Sequence, residues 1–360
     1  MSTYAPEPRP APQEQLTVSP AARPYWRKLA LWVIAAVLGA AVIAFVQVRT
    51  LMAPVSAIPE PEATVVVPAR ASATQIASLL SERGLIRSKW LFLAYARYAG
   101  LDKRLKAGEY AISPADSLGQ VVDKLTKGQV LTYTFTIPEG YTLAQMADVL
   151  ANKGLADRER FLRIAAESDF DFPFLEGIPK GANRLEGFLF PDTYRVSRGV
   201  TEEQLIEMML RRFGRVYTDE FRQRASQMGM TTLQVVTLAS IIEREAKKAE
   251  ERPLVSAVFH NRIEKNWYLE SCATIQYILG EPKEILTYED LAIDSPYNTY
   301  KYGGLPPGPI AAPGESSLMA ALNPADVDYM FFVVKPDGSH AFARTLAEHN
   351  ANKRKYLPKN

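Results

Sequence analysis

One cysteine in 360 residues, Cys272, excludes an internal disulfide framework and leaves a lone thiol whose ordinary role is packing. Histidine is nearly as scarce. His260, His340 and His349 are too scattered to hold a metal, and neither HExxH nor CxxC occurs, so no metal and no cofactor is expected. Net charge is missing too: 42 Lys and Arg against 40 Asp and Glu leave +2, which gives no general reason to expect nucleic acid as a partner. Charged and strongly polar side chains are absent altogether from one stretch, LALWVIAAVLGAAVIAFV, residues 29–46.

At ~1.5 Å per residue that stretch is just long enough to cross a hydrocarbon core. Arg23, Arg27 and Lys28 precede it, with Tyr25 and Trp26 as interface anchors, and acidic residues follow Arg49. This bias predicts a cytoplasmic N-terminus with everything after residue 50 outside. Length and the aromatic-basic flank fit a single-pass anchor over 25–50 better than a cleaved signal peptide or a buried core helix. Residues 1–24 hold six prolines and few large apolar groups, which predicts a disordered cytoplasmic tail. The Pro-rich APVSAIPEPEA marks a linker over 51–63.

Globular composition begins at Thr64, with an internal echo. VPARASATQIASLLSERGLI from Val67 and IPEGYTLAQMADVLANKGLA from Ile137 align at Pro68/Pro138, Ser72/Thr142, Leu80/Leu150 and Gly84/Gly154. A looser copy starts at Ile112. Each predicts a strand, a capping Ser or Thr, a helix and a Gly stop, a unit that needs a shared sheet or core. From the repeat alone, generic α/β packing is a better account of this pattern than a small carbohydrate-binding module, because capped helices are common everywhere. Beyond residue 160, RLEGFLFPDTYRV predicts a structured loop or strand edge, YMFFVVKPDGSHAFA a hairpin turning at Pro336-Asp337-Gly338, and most of the rest helix, giving an α+β chain.

TLASIIEREAKKAEERP, residues 237–253, places two glutamates in an apolar helical pattern. With Ile242 at zero and ~100° per residue, Val235, Leu238, Ala239, Ala246 and Ala249 form one stripe. Glu245 falls at its edge and Glu243 on the opposite flank. At i,i+2 the two do not face each other. Glu245 is therefore the candidate for a carboxyl held against apolar surface, which raises the pKa as a general acid requires. Glu243 reads as a supporting or solvated side chain paired with Lys247. A boundary residue reaching for water is the plainer account of Glu245. Ser271, Thr274, Gln276 and Tyr277, then Asn298, Thr299 and Tyr300, interleave hydroxyls, amides and aromatics in a way that suits a sugar chain.

With EGFLFPDTY, LASIIEREA, VFHNRI, LESCATIQY, SPYNTY, GLPPGPIAAPG and HAFARTLAEHN in this order, the chain resembles the YceG-like (MltG) family of endolytic murein transglycosylases. The resemblance implies a cell-membrane protein, inner or cytoplasmic, with a LysM-like subdomain over 64–135 and a mainly helical catalytic domain over 136–360 on the periplasmic or extracellular side. It places the catalytic acid at Glu245, the second glutamate of the family's E-[KR]-E motif. Some members carry Gln at Glu270 and Asp-Pro at Cys272-Ala273. The implied substrate is peptidoglycan glycan, cut within nascent strands near synthases of the elongation or division machinery.

Glycoside hydrolysis uses two carboxylates ~5–9.5 Å apart, whereas a lytic transglycosylase closes the muramoyl C6 hydroxyl on C1 and needs only one. In that scheme Glu243, Ser271, Thr274, Gln276, Tyr277, Asn298, Thr299 and Tyr300 would orient the glycan, and Tyr194 or Phe188 would wall the cleft. Two alternatives stay open. One is a muramidase-type hydrolase with Asp192, Glu186 or Asp294 as second carboxylate, and the other a membrane-tethered scaffold that binds peptidoglycan without cutting it.

Overall fold

A computed structural model of the chain describes residues 25–58, 60–68, 70–283 and 285–357, so the expected tail over 1–24 lies outside the described residues. Ser72, Ser117 and Thr142, the capping residues of the three echoes, are N-caps, each closed into a capping box by the glutamine three positions on. Each box satisfies two otherwise unpaired N–H groups and is worth ~1 kcal/mol.

The chain divides into two compact units, one up to Gln129 and one from Val130. The first contains α1 (Tyr25–Met52), β1 (Ala63–Val67), α2 (Ala73–Glu82), α3 (Lys89–Tyr98), β2 (Gly108–Ile112) and α4 (Leu118–Lys127). β1 and β2 are antiparallel, with Val65 opposite Tyr110. Ile76, Leu80, Phe92, Val121 and Leu125 supply the helices' buried side chains. Lys28–Met52 holds an 18-residue window of mean hydropathy 2.8 and is long and apolar enough to cross a membrane.

The second unit contains β3 (Thr132–Thr136), α5 (Leu143–Asn152), α6 (Arg158–Glu167), β4 (Thr193–Ser197), α7 (Glu202–Val216), α8 (Asp219–Gln227), α9 (Thr232–Glu245), α10 (Arg252–Glu264), α11 (Cys272–Leu279), α12 (Tyr288–Leu291), α13 (Glu315–Leu322), β5 (Phe331–Val334), β6 (His340–Ala343) and α14 (Leu346–Tyr356). The hairpin turns where the sequence places it, with Phe331 opposite Ala343. The echoes do not share one sheet. Two lie in the first unit, but the copy from Ile137 follows β3, which pairs with β4. A boundary at residue 135 would cut that strand.

Helix α9 is the centre of the second unit. Every residue from Val235 to Ile242 is buried, and α10 and α13 pack against it. A helix enclosed on all sides must leave the core at one end to present a charged group, and α9 does so in its last turn.

Candidate active site

Helix α9 ends at Glu245, and Ala246 departs in extended backbone. This revises the sequence reading twice. The apolar stripe counted Ala246 and Ala249, which lie beyond the helix, and burial is not confined to one face. Angle therefore does not separate the two acids; tertiary partners do.

Glu243 is the more enclosed, with a side chain only 6% exposed. Its Oε1 accepts from Arg252 Nη2 at 2.9 Å and its Oε2 from the Gly314 N–H, at the start of α13, at 3.0 Å. The expected pairing with Lys247 does not form, because the helix stops between them. Arg252 also donates to Ser316 Oγ at 2.7 Å and lies 3.7 Å from Glu139. Burial, then the Glu243 charge, raises the Glu139 carboxyl pKa, opposed by Arg252. With both oxygens engaged, Glu243 fastens α9 to α10 and α13 and is not placed to hold substrate.

Glu245 is half-buried. Its Oε1 accepts the Ser271 hydroxyl and, at 3.4 Å, the Ala273 N–H in the first turn of α11. Oε2 takes no hydrogen bond among the described residues. The expected apolar walls are replaced by a hydroxyl and the N-terminal turn of α11.

What fixes Ser271 is a buried scaffold. Its N–H donates to Thr299 Oγ1 at 3.0 Å, and its carbonyl accepts from Thr274 Oγ1 at 2.8 Å. Thr274 and Thr299 hydroxyls lie 2.9 Å apart. Asn298 anchors the far side by donating to the Leu291 and Ile293 carbonyls at 2.9 and 2.8 Å and accepting from the Tyr300 N–H at 2.9 Å. Thr274, Asn298 and Thr299 are fully buried, so they cannot contact a glycan as expected. Arg262 braces the same loop, donating to the Leu269 and Met330 carbonyls at 2.8 Å and to Glu270 Oε2 at 3.2 Å. Burial lowers its pKa, and Glu270 holds it up.

Tyr300 lies within the field of Glu245, and its hydroxyl is 3.1 Å from Cys272 Sγ. Burial, joined by the charges of Cys272, Glu245 and Glu270, raises the phenol pKa. The Cys272 thiol pKa is raised as well, by desolvation first, although the residue is exposed.

Beside this cluster lies a groove of about 690 Å³ whose lining includes Arg244, Ala273, Gln276, Tyr277, Tyr297 and Glu186. Gln276 donates to the Lys283 carbonyl at 3.2 Å, which leaves its carbonyl oxygen for a ligand. Glu186 accepts from the Leu143 N–H at 2.9 Å and from the Tyr277 hydroxyl at 3.3 Å. Burial raises its pKa to about 7 despite those hydrogen bonds. The next residue, Gly187, has φ +80, and a Cβ there would come within 2.6 Å of Pro309 and 2.9 Å of Val236. Only glycine lets this loop approach α9 so closely.

Phe188 and Tyr194 do not wall the groove. Phe188 is fully buried between Phe174 and Phe213, while Tyr194 stacks on Phe135 and donates to the Phe190 carbonyl at 2.6 Å. Asp192 is held by Arg212, and Asp294 by Lys301 at 3.0 Å and Tyr302 at 2.8 Å. These bonds lower both acids' pKa. Of the carboxylates considered as a second acid, only Glu186 lines the groove. Arg252 and Arg262 had no signal in the sequence, since their partners lie on other elements.

Residues 65–355 match the family model described as the YceG-like family. A Bacillus subtilis protein named endolytic murein transglycosylase is 32% identical over 87% of this chain and 90% of its own length. A protein of the same name from Streptococcus pneumoniae is also 32% identical, over 83% of this chain and 59% of its own. The crystal structure of a yceG-like protein from Listeria monocytogenes shares 36% identity at a TM-score of 0.55, covering 82% of this chain and all of that one. The chain is thus an α-helix-rich protein with small two-stranded sheets and an N-terminal apolar helix. It belongs to the YceG-like family.

Proposed function

We propose that the chain is a membrane-anchored lytic transglycosylase that cleaves the β-1,4 bond between N-acetylmuramic acid and N-acetylglucosamine within peptidoglycan strands. The observation that carries this reading is the asymmetry of Glu245: one oxygen is held by Ser271 and the α11 N-terminus, and the other accepts no hydrogen bond among the described residues. Glu245, protonated on Oε2, gives its proton to the bridging oxygen as the C1–O bond breaks toward an oxocarbenium-like state. The resulting carboxylate, steadied by the Ser271 hydroxyl, takes the proton of the muramoyl C6 hydroxyl as O6 closes on C1. The product ends in 1,6-anhydro sugar and no water is consumed.

A hydrolase would need a second acid ~5–9.5 Å away on the other face of the sugar. Glu243 is tied to Arg252 and Gly314, Glu270 to Arg262, and Glu186 to Leu143 and Tyr277, which favours the lyase route. Gln276, Tyr277 and Tyr300 remain the residues able to meet the glycan. The relatives' name supports cutting inside strands, hence a role in ending elongation of nascent glycan beside synthases. The basic N-terminal flank of α1 supports a cytoplasmic N-terminus with the groove on the outer side. The β1-α2-α3-β2 order is consistent with a LysM-like module.

The test is mass analysis of glycan ends after purified sacculi are digested by the wild type and by Glu245→Gln. We expect anhydro ends from the wild type and a loss of orders of magnitude in the variant, with circular dichroism unchanged. Reducing ends would mean a hydrolase, and binding without any cleavage a scaffold.

A further inference from the structure

Helix α3 is buried on one side only. With Ala94 at zero, the buried Phe92 and Ala96 lie about 160° away, while Trp90 and Tyr98 fall about 40° to either side and Arg97 about 60° off. Trp90 is 74% and Tyr98 94% exposed. An aromatic pair with a cation between apolar body and water is the composition of a membrane interface rather than of an ordinary solvated face.

The position of this face relative to α1 says what covers it. Arg87, just before α3, donates from Nε and Nη2 to the Pro54 carbonyl at 2.9 and 2.7 Å and to the Val55 carbonyl at 2.9 Å. Ser56 N–H is held by the Pro114 carbonyl at 2.9 Å. The chain leaving α1 at Met52 is therefore fastened to the start of α3 within a few residues, and α1 and α3 are in contact. If α1 spans the bilayer, Pro54 lies in the headgroup zone, which is ~5–7 Å deep on each side. Trp90 follows Arg87 by three residues and starts at that depth. Residues 64–129 carry ten Lys and Arg against five Asp and Glu, a charge complementary to anionic lipid. A glycan-stacking site fits less well, because the two rings stand ~12 Å apart on a convex helix face with no trough between them.

We infer that the Trp90–Ala94–Tyr98 face of α3 seats in the headgroup layer of the membrane that α1 crosses, so that this unit lies on the lipid surface. This rests on the anchor reading of α1, and the test separates the two. Full-length protein is reconstituted in anionic vesicles as two single-tryptophan variants. One keeps Trp32 inside α1 (Trp26→Phe, Trp90→Phe, Trp267→Phe), and the other keeps Trp90 (Trp26→Phe, Trp32→Phe, Trp267→Phe). Lipid brominated high on the acyl chains should quench Trp32 strongly and Trp90 about half as much, with blue-shifted Trp90 emission. Quenching of Trp32 without Trp90 overturns the inference and leaves the anchor intact; quenching of neither overturns both. Trp90 left unquenched by lipid but shielded from acrylamide by glycan strands would make the face a carbohydrate site instead.

Discussion

Ser271 is the side chain on which the behaviour of Glu245 most depends. Its backbone is held by Thr299 and Thr274, so its hydroxyl alone serves Glu245. Ser271→Ala should lower kcat about tenfold to a hundredfold while moving the melting temperature little, a split read by steady-state kinetics and thermal denaturation. Glu186 offers a different test. Its folded-state pKa of about 7 stands above the unfolded value near 4.5, so between these pH values the folded chain holds a proton that the unfolded chain has lost. Stability is then greatest below the unfolded pKa and falls as pH rises through 7, by about 3 kcal/mol in all. Urea titrations from pH 4.5 to 8 should show this decline in the wild type, and a much flatter profile in Glu186→Gln, which keeps the acceptor for Leu143.

The link between α9, α10 and α13 runs through Glu243 and Arg252. Glu243→Ala removes the shortest carboxylate contact of Arg252, whose side chain is 12% exposed, leaving it Ser316 and the more distant Glu139, and should cost about 2 kcal/mol in chemical denaturation. Lost activity at unchanged stability would instead return Glu243 to the substrate. Features whose cause is local were legible in the sequence: the capping residues Ser72, Ser117 and Thr142, the Pro336-Asp337-Gly338 turn, and the apolar run of α1. What was not legible depends on partners far along the chain. Nothing near Thr299 reveals that it receives the Ser271 N–H, 28 positions away. Nothing in the apolar pattern of α9 reveals that α10 and α13 enclose it, so a one-faced helix was inferred for a central one. Glu245 remains the candidate that its place at the edge of the pattern and the family motif suggest, with polar neighbours in place of the expected apolar ones.

Helix α1 belongs to the first unit, and the groove lies in the second. A chain beginning at residue 53 should appear in the soluble fraction without detergent and still cleave isolated glycan strands, as sedimentation and product analysis would register; loss of cleavage would mean that α1 does more than tether. The far end of the sequence is less dispensable than its distance from the groove implies. Arg262 ties the loop before Ser271 to Met330 at the edge of the hairpin, and Glu251 receives both the His340 N–H, at 3.0 Å, and its ring Nδ1, at 2.7 Å. A ribosome makes α1 first and these residues last. Until they are made, the growing chain carries Glu245 without the Met330 contact of Arg262, the residue that braces the loop before Ser271. The brace on the loop before Ser271 therefore closes only once residues 330–340 are in place, 68 positions after Arg262 and 89 after Glu251.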